Sequence, residues 1–370
     1  MNTVTQPSRL ASLDALRGFD MLMISGGGAF LYLLGGKTGL SFIDAIAEQF
    51  HHPDWNGFTF YDFIFPLFLF MAGVSLAFSL KSGLAKDISQ AELTKKVFKR
   101  MLVLFVLGIL DKNAPVDIFD PAHIRYGTVL GRIGIATFLV ALLYMRFTWT
   151  QMLYIAFGIL VLYFSVLMLI PAPGFQAGNL TFEGNLVGWL DRTLMPGRLK
   201  QKTYDELAMT TQLSATCLTI FGCLAGDILQ NSAISVAQKL KQLSLMGVIG
   251  VVAGLAWSPF FPINKHLWSS SFILLTGGMA FLMVVLFYWI IDVKKYTRWT
   301  FFFKVIGMNS LVIYLACRFI SFGETSRLLF AGLYGHAPEP WHEVFNALGG
   351  LLLVWLMLYV MYRHKIFVKV

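Results

Sequence analysis

Runs of about 20 apolar residues recur along the chain with short polar segments between them. That alternation predicts ten membrane-crossing helices: 15 to 36, 58 to 80, 97 to 112, 126 to 145, 151 to 170, 213 to 229, 242 to 258, 269 to 291, 301 to 320 and 346 to 362. The expected fold is all-α, a polytopic membrane helical bundle forming one domain over residues 1 to 370. One long insert, 171 to 212, opens with Pro171-Ala172-Pro173-Gly174 and carries Asp191, Arg192, Arg198, Lys200, Lys202, Asp205 and Glu206. Its mixture of turn residues and charges reads as an ordered or lid-like outer loop. No internal repeat is apparent, which argues against transporter folds built from inverted halves. The first span is not a cleavable signal, because Asp14, Arg17 and Asp20 crowd its start and no small-residue cleavage site ends it.

Composition sharpens the class. With 57% hydrophobic residues, 13% charged, 34 Phe and a mean hydropathy of +0.68, the chain is far too apolar for an ordinary soluble domain. The net charge of +9 sits in short clusters between spans and not along one face, so it reads as topology and no nucleic-acid partner is expected. With the N-terminus inside, the inner segments collect Arg9, Lys81, Lys86, Lys95, Lys96, Lys99, Arg100, Lys239, Lys241, Lys294, Lys295 and Lys369, among others. Both termini are therefore expected to be cytoplasmic. A bacterial inner membrane is the expected location, since outer-membrane proteins are barrels. Cys217, Cys223 and Cys317 lie in apolar stretches without CxxC spacing, so they read as packing and no metal site is expected.

That orientation puts six of the seven histidines, 51, 52, 123, 266, 336 and 342, on or near the outer face with Asp54, Asp62, Asp117, Asp120, Asp205 and Glu206. The densest polar island is His51-His52-Pro53-Asp54-Trp55-Asn56-Gly57-Phe58, followed at once by Asp62 at the outer end of the second span. A histidine titrates near neutrality and can act as a general base, and a carboxylate beside it can orient it. Asp62 is a candidate for that role or for a structural hydrogen bond. Arg132 lies inside the fourth span with Arg125 seven residues earlier, so the two are expected to share a helix face. For each, an internal ion pair and an anion contact are both open. Asn264, Lys265, Asn309 and Ser310 are further polar candidates, and Gly26-Gly27-Gly28 must admit another helix or a ligand close to its backbone. On the inner side, Lys95, Lys96, Lys99 and Arg100 form the strongest basic cluster, suited to topology or to an anionic cytosolic ligand.

Several of these stretches occur in one order. Ser12-Leu13-Asp14-Ala15-Leu16-Arg17-Gly18, the glycine triplet, His52-x-x-Trp55-Asn56-Gly57, Asp62-x-x-Phe65-Pro66, Arg132-Ile133-Gly134, Phe261-Pro262-Ile263-Asn264-Lys265 with Leu267-Trp268, and Gly307-Met308-Asn309-Ser310 follow one another along nearly the whole chain. Together they resemble the heparan-α-glucosaminide N-acetyltransferase family, in particular its bacterial NagX-like members. HxxWNG followed by DxxFP is the specific part, whereas the LDxLRG opening resembles several membrane acyltransferase families. The departures are Ile24, where the animal members have Asn, and Tyr204-Asp205-Glu206-Leu207, where the family has a DPEG stretch. No large lumenal N-terminal domain precedes the motifs in these 370 residues.

The resemblance implies transfer of an acetyl group from cytosolic acetyl-CoA, as co-substrate, to the amine of glucosamine or a related amino sugar on the periplasmic side. It makes His52 the active-site residue and Asp62 its carboxylate partner. Asp54, Trp55, Asn56, Gly26, Gly27, Gly28, Arg125, Arg132, Asn264, Lys265, Asn309 and Ser310 are then candidates for substrate binding. Lys95, Lys96, Lys99 and Arg100 are candidates for the CoA phosphates. His52 would act as general base or as acetyl-accepting nucleophile. The lipid bilayer is an expected partner, and a homodimer is left open. Two other functions fit the spans and the outer polar groups: an amino-sugar transporter of the inner membrane and an O-acyltransferase of cell-surface glycans.

Overall fold

The computed structural model describes residues 10–117 and 119–368. Arg9 and Lys369, two of the basic residues expected on the inner side, lie outside that range. The described residues form α1 (Ala11–Leu22), α2 (Gly28–Leu33), α3 (Ser41–Glu48), α4 (Phe60–Leu84), α5 (Gln90–Asn113), α6 (Val129–Tyr144), α7 (Trp149–Leu169), α8 (Leu186–Leu194), α9 (Gln212–Gln230), α10 (Val236–Trp257), α11 (Ser270–Phe287), α12 (Thr300–Gly307), α13 (Ser310–Phe319), α14 (Phe322–Tyr334) and α15 (His342–Arg363). Among them the only β pairing is an isolated bridge between Arg125 and Gly197. The fold is all-α, as expected.

Among the described residues, six helices are long and apolar enough to cross a bilayer: α4, α7, α9, α10, α11 with its continuation to Val293, and α15 with the turn before it from Glu339. A seventh crossing results if α12 and α13, bent by 72° at their junction, count as one. Physical reasons separate the other expected spans from these. The span expected at 15 to 36 is interrupted by a π-helical turn, Met23–Gly27, in which Gly26 takes φ 126°, a conformation L side chains rarely adopt. The span at 97 to 112 belongs to a 24-residue helix that begins with Glu92, Lys95, Lys96, Lys99 and Arg100 and closes on Asp111 and Lys112. The span at 126 to 145 starts only at Val129, because the Thr128 hydroxyl caps α6 by accepting from the Gly131 amide at 3.1 Å, leaving a short apolar helix.

The chain forms two compact units, with boundaries at Pro53/Asp54, Phe58/Thr59, Phe65/Pro66 and Leu282/Met283. The first unit holds α1 to α3, the start of α4, and the chain from Met283 onward. Its α1 packs on α12 and on the π-helical turn Tyr288–Val293, burying Asp14, Ala15, Leu16, Gly18 and Met21. Asp292 closes the N-terminus of α1, accepting from the amides of Ala11 at 3.3 Å and Ser12 at 3.2 Å, donors that a helix start otherwise leaves unsatisfied. The α12–α13 break falls at Asn309, whose side chain donates to the Ile366 carbonyl at 3.0 Å and accepts from the Val368 amide at 3.1 Å. Asn309 is thus engaged with the last turn of the described chain.

The second unit runs from Asp54 to Phe58 and from Pro66 to Leu282. Its α9 is buried nearly all round and packs against α6, α7 and α10. Cys217 and Cys223 donate their thiols to the carbonyls of Ala156 at 3.6 Å and Gly73 at 3.2 Å, a packing role at helix contacts. The long insert is ordered. It contains α8, capped by Asn185 accepting from the Gly188 amide at 2.7 Å, and contributes Leu186, Val187 and Tyr204 to an apolar cluster with Tyr163, Leu167, Phe261 and Leu267.

Candidate active site

The first turn of α4 presents Asp62, which is 1% exposed. Its Oδ1 lies 2.7 Å from Nδ1 of His52, and its Oδ2 accepts from the Thr59 amide at 3.1 Å and the Thr59 hydroxyl at 3.3 Å. A carboxylate at a helix N-terminus is favoured by the helix dipole as well as by these donors. The contact selects the imidazole tautomer with its proton on Nδ1 and its lone pair on Nε2. The ring is also held from one face, stacked on Tyr61 with centroids 4.8 Å apart and planes 12° from parallel. Tyr61 in turn is fixed by its amide, which donates to the Gln49 carbonyl at 2.9 Å. The neighbouring His51 stacks on Tyr32 at 5.9 Å and makes no contact of this kind with a carboxylate among the described residues.

The glycine triplet lies in the same unit. A Cβ on Gly28 would stand 2.6 Å from the Tyr61 ring, so glycine here is what lets Tyr61 sit where it supports His52. At Gly26 the close neighbour is another helix, with Leu351 of α15 about 3.3 Å from where a Cβ would be. A cavity of about 290 Å³ opens beside it, bounded by Ser25, Gly26, Cys317, Ser321 and Asn346.

In the second unit, Trp55 donates its indole N–H to the Leu180 carbonyl at 2.8 Å and stacks on His266 with centroids 5.2 Å apart. Phe182 and Tyr204 meet it edge-on. Asn264, 1% exposed, donates to Asn56 Oδ1 at 2.9 Å and accepts from the Leu267 amide at 2.7 Å, while the Gly57 amide donates to the Ile263 carbonyl at 2.9 Å. Trp55, Asn56 and Asn264, singled out separately in the sequence, are thereby brought together. His266 and Glu206, 3.8 Å apart, and the buried Tyr204 join them and were not among the candidates. His266 stood beside Lys265 in the sequence, but stacking across about 210 residues leaves no local signal. Burial pushes the Glu206 carboxyl up, yet Lys200, Lys265 and His266 outweigh it and hold it at about 2, so it is charged at neutral pH.

Arg125 and Arg132 do not share a helix face, because α6 begins after Arg125. Both instead reach the segment 205–211. Arg125 makes a bidentate pair with Asp205 at 2.6 and 2.7 Å. Arg132 donates to the Thr211 hydroxyl and to the Ala208 carbonyl at 3.2 Å, and its guanidinium lies 4.6 Å over the Trp268 ring. Trp268 is held at φ 48°, a left-handed conformation costing an L residue about 1–2 kcal/mol, while 1% exposed under that cation. Lys95, Lys96, Lys99 and Arg100 occupy the first half of α5, where Lys96 pairs with Glu92 at 2.8 Å. Ser310 opens α13 and Asp54 is exposed.

Asp191 in α8 yields a pH prediction. It is fully buried, Oδ1 accepts from the amide and hydroxyl of Thr210 at 3.0 and 2.7 Å, and no described group bonds Oδ2. Burial outweighs the Thr210 bonds and raises its carboxyl to about 6. Between pH 4 and 6 the folded chain then holds a proton that the unfolded chain has lost, so this group makes stability fall as pH rises. Asp191→Asn should remove a difference on the order of 1 kcal/mol between pH 5 and pH 7, read from unfolding in detergent at both. An unchanged pH slope would remove Asp191 from this role.

Comparison with known proteins fits the geometry. The family described as heparan-alpha-glucosaminide N-acetyltransferase, catalytic, matches residues 9–195, half of the chain. The chain belongs to this family. The human protein named heparan-alpha-glucosaminide N-acetyltransferase is 27% identical over 98% of this chain and 60% of its own length. The mouse protein of that name is 26% identical over 98% of this chain and 61% of its own length. The chain thus spans about 60% of the length of the curated relatives it matches. The match to the N-acetyltransferase family includes the loop and helix start that carry His52, Trp55, Asn56 and Asp62.

Proposed function

We propose that the chain is a transmembrane acetyltransferase that moves an acetyl group from cytosolic acetyl-CoA to the amine of glucosamine or a related amino sugar on the periplasmic face of a bacterial inner membrane. The observation that carries this reading is the His52–Asp62 pair: a buried carboxylate 2.7 Å from Nδ1 of a half-exposed imidazole. An amine attacks a thioester only as its neutral form, so the acceptor ammonium must first lose a proton. Nε2 of His52 takes it, and Asp62 stabilises the imidazolium that results. As the C–N bond forms and the C–S bond breaks, a proton from the acetylated nitrogen passes to the departing thiolate, giving CoA and the amide. In the alternative route Nε2 attacks the thioester itself, releases CoA, and passes the acetyl group to the amine. The same Nδ1 contact serves both.

Asp191, Arg125 and Asn309 are engaged with protein groups and are read as structural. Trp55, Asn56, Asn264, Lys265 and Arg132 are proposed as ligand contacts in the second unit, with Glu206 and His266 added to them. Lys95, Lys96, Lys99 and Arg100 are proposed for the CoA phosphates, and both termini are taken as cytoplasmic. The test is incubation of the purified protein with labelled acetyl-CoA and a panel of sugars. Label on the amine of glucosamine is expected. Label on hydroxyl groups would favour the O-acyltransferase reading, and counterflow uptake of unmodified amino sugar without acetyl-CoA the transporter.

A further inference from the structure

The second unit has a cavity of about 680 Å³ that the acetyl-transfer reading does not use. It lies where α4 and α9 end and α7 and α10 begin, at the end of these helices that carries Lys81, Lys86, Lys239 and Lys241. Its walls are Lys81, Trp149, Asp227, Asn231, Gln242 and Leu245. Oδ1 of Asp227 accepts from the Tyr144 hydroxyl, and among the described residues nothing hydrogen-bonds Oδ2. The Lys81 ammonium is within electrostatic range of both the Asp227 carboxylate and the Lys239 ammonium, while Lys239 donates to the Leu229 carbonyl at 2.7 Å. One cavity therefore offers a half-buried carboxylate, the Lys81 ammonium and the side-chain amides of Asn231 and Gln242, with a second ammonium, Lys239, in electrostatic range of Lys81.

This charge pattern is complementary to a zwitterion. A polyanion such as a nucleotide would meet the Asp227 carboxylate, and a simple cation would meet the Lys81 ammonium. The apolar surroundings extend the match. From Leu245 the exposed positions Val248, Ile249, Val252 and Leu255 run up one face of α10 at helical spacing, and α10 is among the least buried of the membrane-length helices. Trp149 at the start of α7 is half-buried, with an amphipathic ring suited to the headgroup level.

We propose that this cavity is a binding site for a phospholipid with a primary-ammonium headgroup, phosphatidylethanolamine. Its ammonium bonds Asp227, its phosphate lies by Lys81, and one acyl chain follows the exposed face of α10. The ammonium N–H groups set the selectivity, because a quaternary choline cannot donate to Asp227 and an uncharged glycerol headgroup brings no cation.

The experiment is native mass spectrometry of the delipidated full chain titrated with phosphatidylethanolamine, phosphatidylcholine and phosphatidylglycerol of matched acyl chains. Phosphatidylethanolamine should bind at least about fivefold more tightly than the other two, about 1 kcal/mol. Asp227→Asn, which keeps an acceptor for Tyr144, should erase that preference. Lys81→Gln should weaken all three lipids. Should Asp227→Asn not fold, the same ranking is read without a variant, as the rise in unfolding temperature of the wild-type chain with each lipid. Equal binding of the three lipids, a preference that survives Asp227→Asn, or displacement of the lipid by coenzyme A would overturn the proposal.

Discussion

His52→Ala is expected to lower N-acetylation of glucosamine by about 100- to 10,000-fold if the imidazole is a general base, and to abolish it if the imidazole carries the acetyl group. The side chain is half-exposed on a loop, held by Asp62 on one edge and Tyr61 on one face, so its removal leaves no unpaired charge in an apolar region beyond Asp62. Asp62 keeps its bonds from the Thr59 amide and hydroxyl in that variant, and the fold should persist. Loss of activity with unchanged unfolding temperature would then be a chemical effect. Asp62→Asn should cause a smaller loss, because it withdraws the charge that stabilises the imidazolium and no longer selects the Nδ1–H tautomer. A further comparison separates the two routes. With acetyl-CoA and no acceptor, an acetyl-imidazole route releases a burst of one CoA per chain, and a general-base route releases none. Full activity in His52→Ala would exclude both.

Arg125→Met is expected to cost the fold about 3–5 kcal/mol. Arg125 and Asp205 are 7% and 1% exposed, and the Nε and Nη2 groups meet the two carboxylate oxygens in parallel. Such a bidentate pair is strong in geometry, yet its loss is costly chiefly because the surviving charge stays buried. Asp205 also accepts from the amides of Lys200 and Leu207 at 3.0 Å each, so the segment that positions Glu206 depends on that carboxylate. The double variant Arg125→Met, Asp205→Asn removes the orphan charge and should recover roughly half of the lost stability. Unfolding in mixed detergent reads both. A loss under 1 kcal/mol in Arg125→Met would show that the pair does not anchor this segment.

Much of the scaffold could be read from hydropathy alone. The stretches 58 to 80, 151 to 170, 213 to 229, 242 to 258, 269 to 291 and 346 to 362 overlap α4, α7, α9, α10, α11 and α15, with α10 starting six residues earlier, because each is dominated by one long apolar run. Hydropathy is blind where the backbone departs from the α-helix. The π-turn at Gly26 and the 72° bend at Asn309 are set by a positive φ and by a side chain bonded to Ile366 and Val368, neither of which changes apolar content. The His52–Asp62 contact was legible because only ten residues separate the partners, and the loop that carries His52 runs directly into the helix start that carries Asp62. The partners of Trp55, by contrast, come from Leu180, Tyr204 and His266, and only folding of the long insert brings them together. Arg125 was placed on the wrong element for a related reason. The Thr128 cap starts α6 three residues later than the apolar run suggests, and Arg125 falls in a bridge to Gly197.

Acetyl transfer itself is the decisive observable. Wild-type chain and His52→Ala, purified side by side with equal unfolding temperatures, are given labelled acetyl-CoA and glucosamine. Label on the glucosamine nitrogen with the wild type, and loss of that label with His52→Ala, is the expected result. Label that persists in His52→Ala, or a wild-type chain that leaves the amine unacetylated, would contradict it.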